Sequence, residues 1–155
     1  MLRSRGRSKS SGLLRLRAPV PRVLFVCVEN SNRSQMAEGF ARAHGGESID
    51  ARSAGSRPSG QINPRAIAFM AERGIDLSAQ HSKALDAIGA EPFDAVVTMG
   101  CGDACPWIAA HRREDWALPD PKLLDDTGFR HVRDEIEQRV IALLGELRPA
   151  SQERA

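Results

Sequence analysis

The 155-residue chain has no tyrosine, only three cysteines, and no apolar stretch approaching the length of a membrane-spanning helix. No membrane insertion is therefore expected. Three cysteines do not make a disulfide framework, and their odd number suits a reducing compartment, with the cytoplasm as the expected location. No internal repeat is visible. Acidic residues are missing from the first twenty positions, where Arg3, Arg5, Arg7, Lys9, Arg15 and Arg17 stand unopposed. Setting those six aside turns the formal net charge from +2 to −4, so the segment behaves as a separate object. Its Ser, Gly and Arg content predicts a basic, disordered tail over residues 1–20. Nucleic-acid binding, transit-peptide mimicry and an upstream start all fit such a tail; a plain solvated tail or an upstream start is preferred, and nucleic acid is not an expected partner.

What is present is ordinary for one globular domain: 41% hydrophobic and 27% charged residues. Strand and helix signals alternate from Pro21 onward. Pro21 to Cys27 reads as a first strand, Ser34 to His44 as an amphipathic helix closed by Gly45-Gly46, and Ser48 to Ala54 as a second strand. Asn63-Pro64 opens a helix running to about Arg73, since asparagine caps and proline suits the first helical position. A short helix is expected near Ser82 to Ile88, a third strand at Phe93 to Met99, a short last strand at Trp116-Ala117-Leu118, and a terminal helix at Val132 to Leu147. This order predicts an α/β fold: a flavodoxin-like open, mainly parallel four-stranded sheet with helices on both faces, ligands binding at the carboxyl ends of the strands.

Cys27 lies at such an end, six residues before Arg33, between an apolar run and a helix. A thiol there faces backbone N–H groups without intrahelical partners, a ready site for a tetrahedral oxyanion such as phosphate or arsenate. Those amides and a guanidinium favour the thiolate, the form that attacks phosphorus or arsenic. Arg33 offers two parallel donors to two anion oxygens. Ser34 can donate its hydroxyl to the Cys27 sulfur. Asn30 tolerates a left-handed backbone and reads as scaffolding. The plain alternative is that Cys27 is a buried cysteine ending a core strand.

The segment Cys27-x5-Arg33-Ser34-Gln35-Met36-Ala37-Glu38 resembles the active-site loop of the low-molecular-weight protein tyrosine phosphatase superfamily, and its arsenate reductase branch in particular. Ser53-Ala54-Gly55 with Asn63-Pro64-Arg65-Ala66, Val96 to Pro106, and Glu114 to Pro121 extend the similarity from about Arg22 to about Leu147. Phosphatases of this superfamily usually carry proline where Gln35 stands and tyrosines just after the Asp-Pro pair. Here Lys122-Leu123-Leu124 follows Asp120-Pro121, which favours the reductase branch.

The resemblance implies a single catalytic domain over residues 21–148, followed by a flexible C-terminus at 149–155. It implies that the Cys27 thiolate attacks arsenate held by the loop Val28, Glu29, Asn30, Ser31, Asn32, Arg33 and Ser34. Asp120 would protonate the departing oxygen. A second thiol must then release arsenite: Cys101 attacking the Cys27 sulfur, with Cys105 closing Cys101–Cys105 for a thioredoxin-type protein to reduce. A four-residue spacing permits that disulfide only if the backbone bends. The segment also resembles branches served by mycothiol with a mycoredoxin, in which a small thiol attacks the adduct directly. No tightly bound cofactor is expected, and no metal, because Cys101 and Cys105 lack a second ligand pair and none of His44, His81, His111 and His131 forms a motif with them. Two other readings remain: a small phosphotyrosine or acyl phosphatase without a redox relay, and a non-catalytic oxyanion-binding domain.

Overall fold

A computed structural model describes residues 19–100 and 107–147. The predicted thiol pair Cys101 and Cys105, the tail up to residue 18 and the chain from 148 onward lie outside the described residues. Four strands, β1 Arg22–Cys27, β2 Asp50–Gly55, β3 Phe93–Thr98 and β4 Ala110–Asp115, pair in the order β2-β1-β3-β4, every neighbour parallel. The strand beside β1 changes side between β2 and β3, so the carboxyl end of β1 sits at the switch point where open sheets bind ligands.

Burial explains the order. Val23, Leu24, Phe25 and Val26 are fully buried, which only a central strand covered on both faces allows. The α-helices are α1 Arg33–Gly45, α2 Pro64–Ala71 and α3 Asp126–Leu147. Val23, Phe25 and Cys27 pack in one core with Met36 and Phe40 of α1, Met70 of α2, and Ile136 and Val140 of α3. Leu24, Val26, Ala54 and Val96 form a smaller core with Ile88, from the 3₁₀ turn Leu85–Ile88. Helical segments thus cover both faces. Asn63 caps α2, its side chain accepting from the Arg65 N–H at 2.9 Å. No helix among the described residues is long and apolar enough to cross a membrane.

Two expectations are corrected. The last strand is Ala110–Asp115, immediately before Trp116. Its sequence, Ala-His-Arg-Arg-Glu-Asp, has no β-forming pattern, but it is an edge strand with one neighbour, where charge is tolerated and discourages pairing with other chains. Trp116 and Leu118 are buried anchors that follow the strand. The terminal helix begins at Asp126, a turn and a half before Val132. Asp125 starts it, its Oδ1 accepting from the Gly128 N–H at 2.9 Å.

The α2–α3 junction carries a pH signature. Glu72, just past α2, receives Arg130 Nη2 at 2.9 Å and Arg133 Nη1 at 2.6 Å. Hydrogen bonds from Arg130 first and Arg133 second hold its carboxyl down from its ordinary 4.5 to about 2. Between those values the unfolded chain binds a proton that the folded chain refuses, so stability rises with pH there. The contribution is complete above about 4.5 and is lost as pH falls through about 2. In thermal melts across that window, Glu72→Gln is expected to flatten the acid-side loss of Tm; an unchanged slope would refute the assignment.

Candidate active site

The chain leaves β1 at Cys27 and enters α1 at Arg33, and the five residues between wrap around one point. Asn30 makes the wrap possible: its φ of +51° is the left-handed conformation, adopted by no other non-glycine among the described residues. The loop lies tightly on Gly55, where an added Cβ would come 2.5 Å from Val28 O and 3.0 Å from Asn30 N. The first internal bond of α1 is Met36 N–H to Asn32 O at 2.9 Å, so the preceding amides have no intrahelical acceptor and give the loop a positive end.

Cys27 Sγ lies 2.8 Å from Ser34 Oγ. Asn30 Nδ2 donates to that same oxygen at 2.8 Å, which leaves the serine hydrogen free to donate to a Cys27 thiolate, a group that can only accept. Asn30 Oδ1 accepts in turn from the Lys83 N–H and from Gln35 Nε2, both at 2.9 Å. Asn30 and Ser34 are fully buried, and the result is a fixed donor relay aimed at a nucleophile.

Gln35, read in the sequence only as a departure from proline, is a fully buried bridge. Its Nε2 donates to His81 O at 2.8 Å, and its Oε1 accepts from Gln80 Nε2 at 2.7 Å, tying the loop to residues 80–83. Beneath lies a second unanticipated group. Glu38 is 2% exposed, accepts from Ser53 Oγ at 2.5 Å and pairs with Arg42 at 2.6 Å, while Lys83 Nζ sits 3.6 Å from it and donates to His81 O at 3.0 Å. These partners lie up to 46 residues apart, so no local pattern announces them; only the Ser53-Ala54-Gly55 segment hinted that β2 belongs to the site.

A cavity of about 400 Å³ opens at the loop, lined by Cys27, Val28, Glu29, Ser31, Asn32, Arg33, Gly100 and Asp120. Asn30 and Ser34 of the expected oxyanion loop are not in that lining, because their side chains are spent on the relay behind the sulfur. Cys101 and Cys105 belong to the undescribed segment that begins just after Gly100.

Asp120 arrives from a loop held in three ways. Trp116 and Leu118 are buried, the indole 5.9 Å from the Phe25 ring. Arg33 Nη1 donates to Leu118 O at 2.8 Å. Asp120 Oδ1 accepts from the Lys122 N–H at 3.1 Å, starting the short 3₁₀ turn Pro121–Leu123. Arg33 Nε and Asn32 Oδ1 are buried beside the cavity without hydrogen-bond partners among the described residues. Both residues line the cavity, which is thus bounded by a guanidinium and by the loop with its unpaired amides. The arrangement can therefore hold a tetrahedral anion against a thiol nucleophile, with a carboxyl group on the same cavity wall.

Known proteins share this fold and much of this sequence. The family model described as low molecular weight phosphotyrosine protein phosphatase matches residues 22–153. A glutaredoxin arsenate reductase of Synechocystis is 41% identical over 129 residues, which span 81% of this chain and 98% of that protein. A solved arsenate reductase in its phosphate-binding state superposes with a TM-score of 0.77 at 40% identity, covering 83% of this chain and all of the other. A thioredoxin-dependent arsenate reductase of Corynebacterium glutamicum gives 0.71 at 36% identity, over 87% of this chain and 65% of that one. Because the family model spans most of the chain and these relatives are matched over most of its length, the chain belongs to the low molecular weight phosphotyrosine protein phosphatase family and groups within it with the arsenate reductases.

Proposed function

We propose that this protein reduces arsenate to arsenite by thiol chemistry and serves arsenical resistance in a reducing, cytoplasmic setting. The observation that carries the reading is the sulfur of Cys27, hydrogen-bonded by Ser34 in a cavity that it shares with Arg33 and Asp120. Its relatives at about 41% identity act as arsenate reductases, which favours arsenate over other anions. The catalytic unit is residues 21–148.

The chemistry follows from those groups. The Cys27 thiolate donates an electron pair to arsenic, forming an S–As bond, while an As–O bond breaks and its oxygen leaves as water with a proton from Asp120. Arg33 and the loop amides hold the remaining oxygens. Arsenic is still in its +5 state. A second thiolate then attacks Cys27 Sγ; the S–S bond forms as the S–As bond breaks, and its electron pair stays on arsenic, which departs as arsenite. Two thiols are oxidised to one disulfide, and an external dithiol restores them. Cys101 and Cys105 are the internal candidates for the second thiol, and a small thiol such as mycothiol is the external one.

A phosphatase reading uses the same Cys27, Arg33 and Asp120. Against it stands the segment after Asp120-Pro121, where Lys122-Leu123-Leu124 supplies no aromatic ring to clamp a phenyl ester and Leu123 is 80% exposed. Arsenite production should be measured in parallel with thioredoxin, glutaredoxin and mycothiol systems on wild type, Cys101→Ser and Cys105→Ser. At least one system is expected to sustain turnover, and loss in the two variants would assign the relay. If no thiol donor supports arsenite release while phenyl phosphate is hydrolysed rapidly, the protein is a phosphatase instead.

A further inference from the structure

Glu29 places a carboxylate in a loop built for anions. It is two residues from Cys27 and lines the same cavity as Arg33 and Asp120. An oxyanion seated against Cys27 would share the cavity with the carboxyl group of Asp120 and with the Glu29 carboxylate, whose charge opposes it. One residue touches both. Lys122 Nζ lies 2.9 Å from Glu29 Oε2, and the Lys122 backbone N–H donates to Asp120 Oδ1 at 3.1 Å. The ion pair thus joins the anion loop to the acid loop across 93 residues of sequence.

Its neighbours indicate what the pair does. Glu29 and Lys122 are 46% and 43% exposed, and pairs so exposed add little to folding stability. Glu29, on the cavity wall, directs attention to the bound anion instead. The hydrogen bond to Glu29, followed by the nearby Glu29 and Asp120 charges, raises the Lys122 ammonium above its ordinary range, so it stays charged throughout any working pH. Without that ammonium, the Glu29 carboxylate would face the bound anion uncompensated.

Resting on the anion-site reading above, we propose that Glu29 and Lys122 form a specificity and positioning pair: Lys122 cancels the Glu29 charge toward an incoming oxyanion, and the closed pair sets Asp120 against the Cys27 loop. Anion affinity and chemical rate therefore separate. Neutralising Lys122 leaves Glu29 opposing the anion; neutralising Glu29 removes that opposition but also removes the direct tie between the acid loop and the anion loop.

The test uses the full chain and inorganic phosphate as probe, reading protection of Cys27 from iodoacetamide, with arsenate kcat and KM measured alongside. Lys122→Met is expected to weaken phosphate binding about fivefold to tenfold, and Glu29→Gln to tighten it about threefold. The double variant should return to within about twofold of wild type, while kcat falls in all three and Tm stays constant. A merely structural role predicts the opposite, with the double variant at least as poor as the worse single one. That result, or unchanged binding in Lys122→Met, would overturn the pair. Because phosphate protection needs no reduction, the expected pattern without arsenate turnover would sink the reductase reading and leave the pair standing; no protection in wild type would sink both.

Discussion

Cys27→Ser is expected to lower arsenate turnover by at least about four orders of magnitude while leaving the oxyanion site assembled. Two chemical facts make this the largest single effect. The serine hydroxyl is un-ionised at neutral pH, and the group hydrogen-bonded to position 27 is the Ser34 hydroxyl, a donor here and no base. Even a serine ester of arsenate would be a dead end, because reduction needs an electron pair left behind on arsenic as a disulfide forms, and oxygen forms no such bond. The scaffold should survive, since the loop is held through Asn30, Gln35 and Gly55. Arsenite release and phosphate binding by calorimetry would be measured on the same preparation. Turnover within tenfold of wild type would mean that another thiol is the nucleophile.

Arg33→Lys is expected to cost about two to three orders of magnitude in kcat/KM, more than loss of one positive charge would. A lysine would keep the charge. The guanidinium, however, does two jobs at once: Nη1 holds Leu118 O at 2.8 Å, and buried Nε stands without a partner beside the cavity. An ammonium cannot span both in fixed geometry. Space is also matched to the guanidinium, since a Cβ on Gly100 would lie 2.6 Å from Arg33 Nη1, and Gly100 itself has φ +84°. Both phosphate affinity and kcat should fall. If the lysine variant kept each within about threefold of wild type, the double role would be wrong.

Much of this was legible in the sequence, for identifiable reasons. An apolar run ending in Cys27 announces a central strand, and Asn63-Pro64 announces a helix, because both signals are local. The Cys27, Arg33 and Ser34 cluster was readable for the same reason: one turn of chain holds all of it. Strand β4 was not, because an edge strand answers to its neighbour β3 and to solvent more than to its own propensity. The start of α3 is written in Asp125, an N-cap residue type whose Oδ1 accepts from the Gly128 N–H. Gln35, Glu38 and Lys83 were invisible as site members because each acts through a residue distant in sequence, as when the Lys83 N–H meets Asn30 Oδ1 across 53 positions. Periodicity carries no information about such pairs.

Those long separations have a consequence for how the molecule comes into being. The Cys27 loop takes its partners from residues 80–83, from Leu118 and from Lys122, so a nascent or partly folded chain holds the thiol without these supports or its acid. Assembly of the site is a non-local event and belongs to the late, slow part of folding. Chemical competence then reports completion of the whole sheet, and an unfinished chain carries an inert cysteine. Because the anion binds only the finished state, phosphate or arsenate in solution draws the folding equilibrium toward it by mass action.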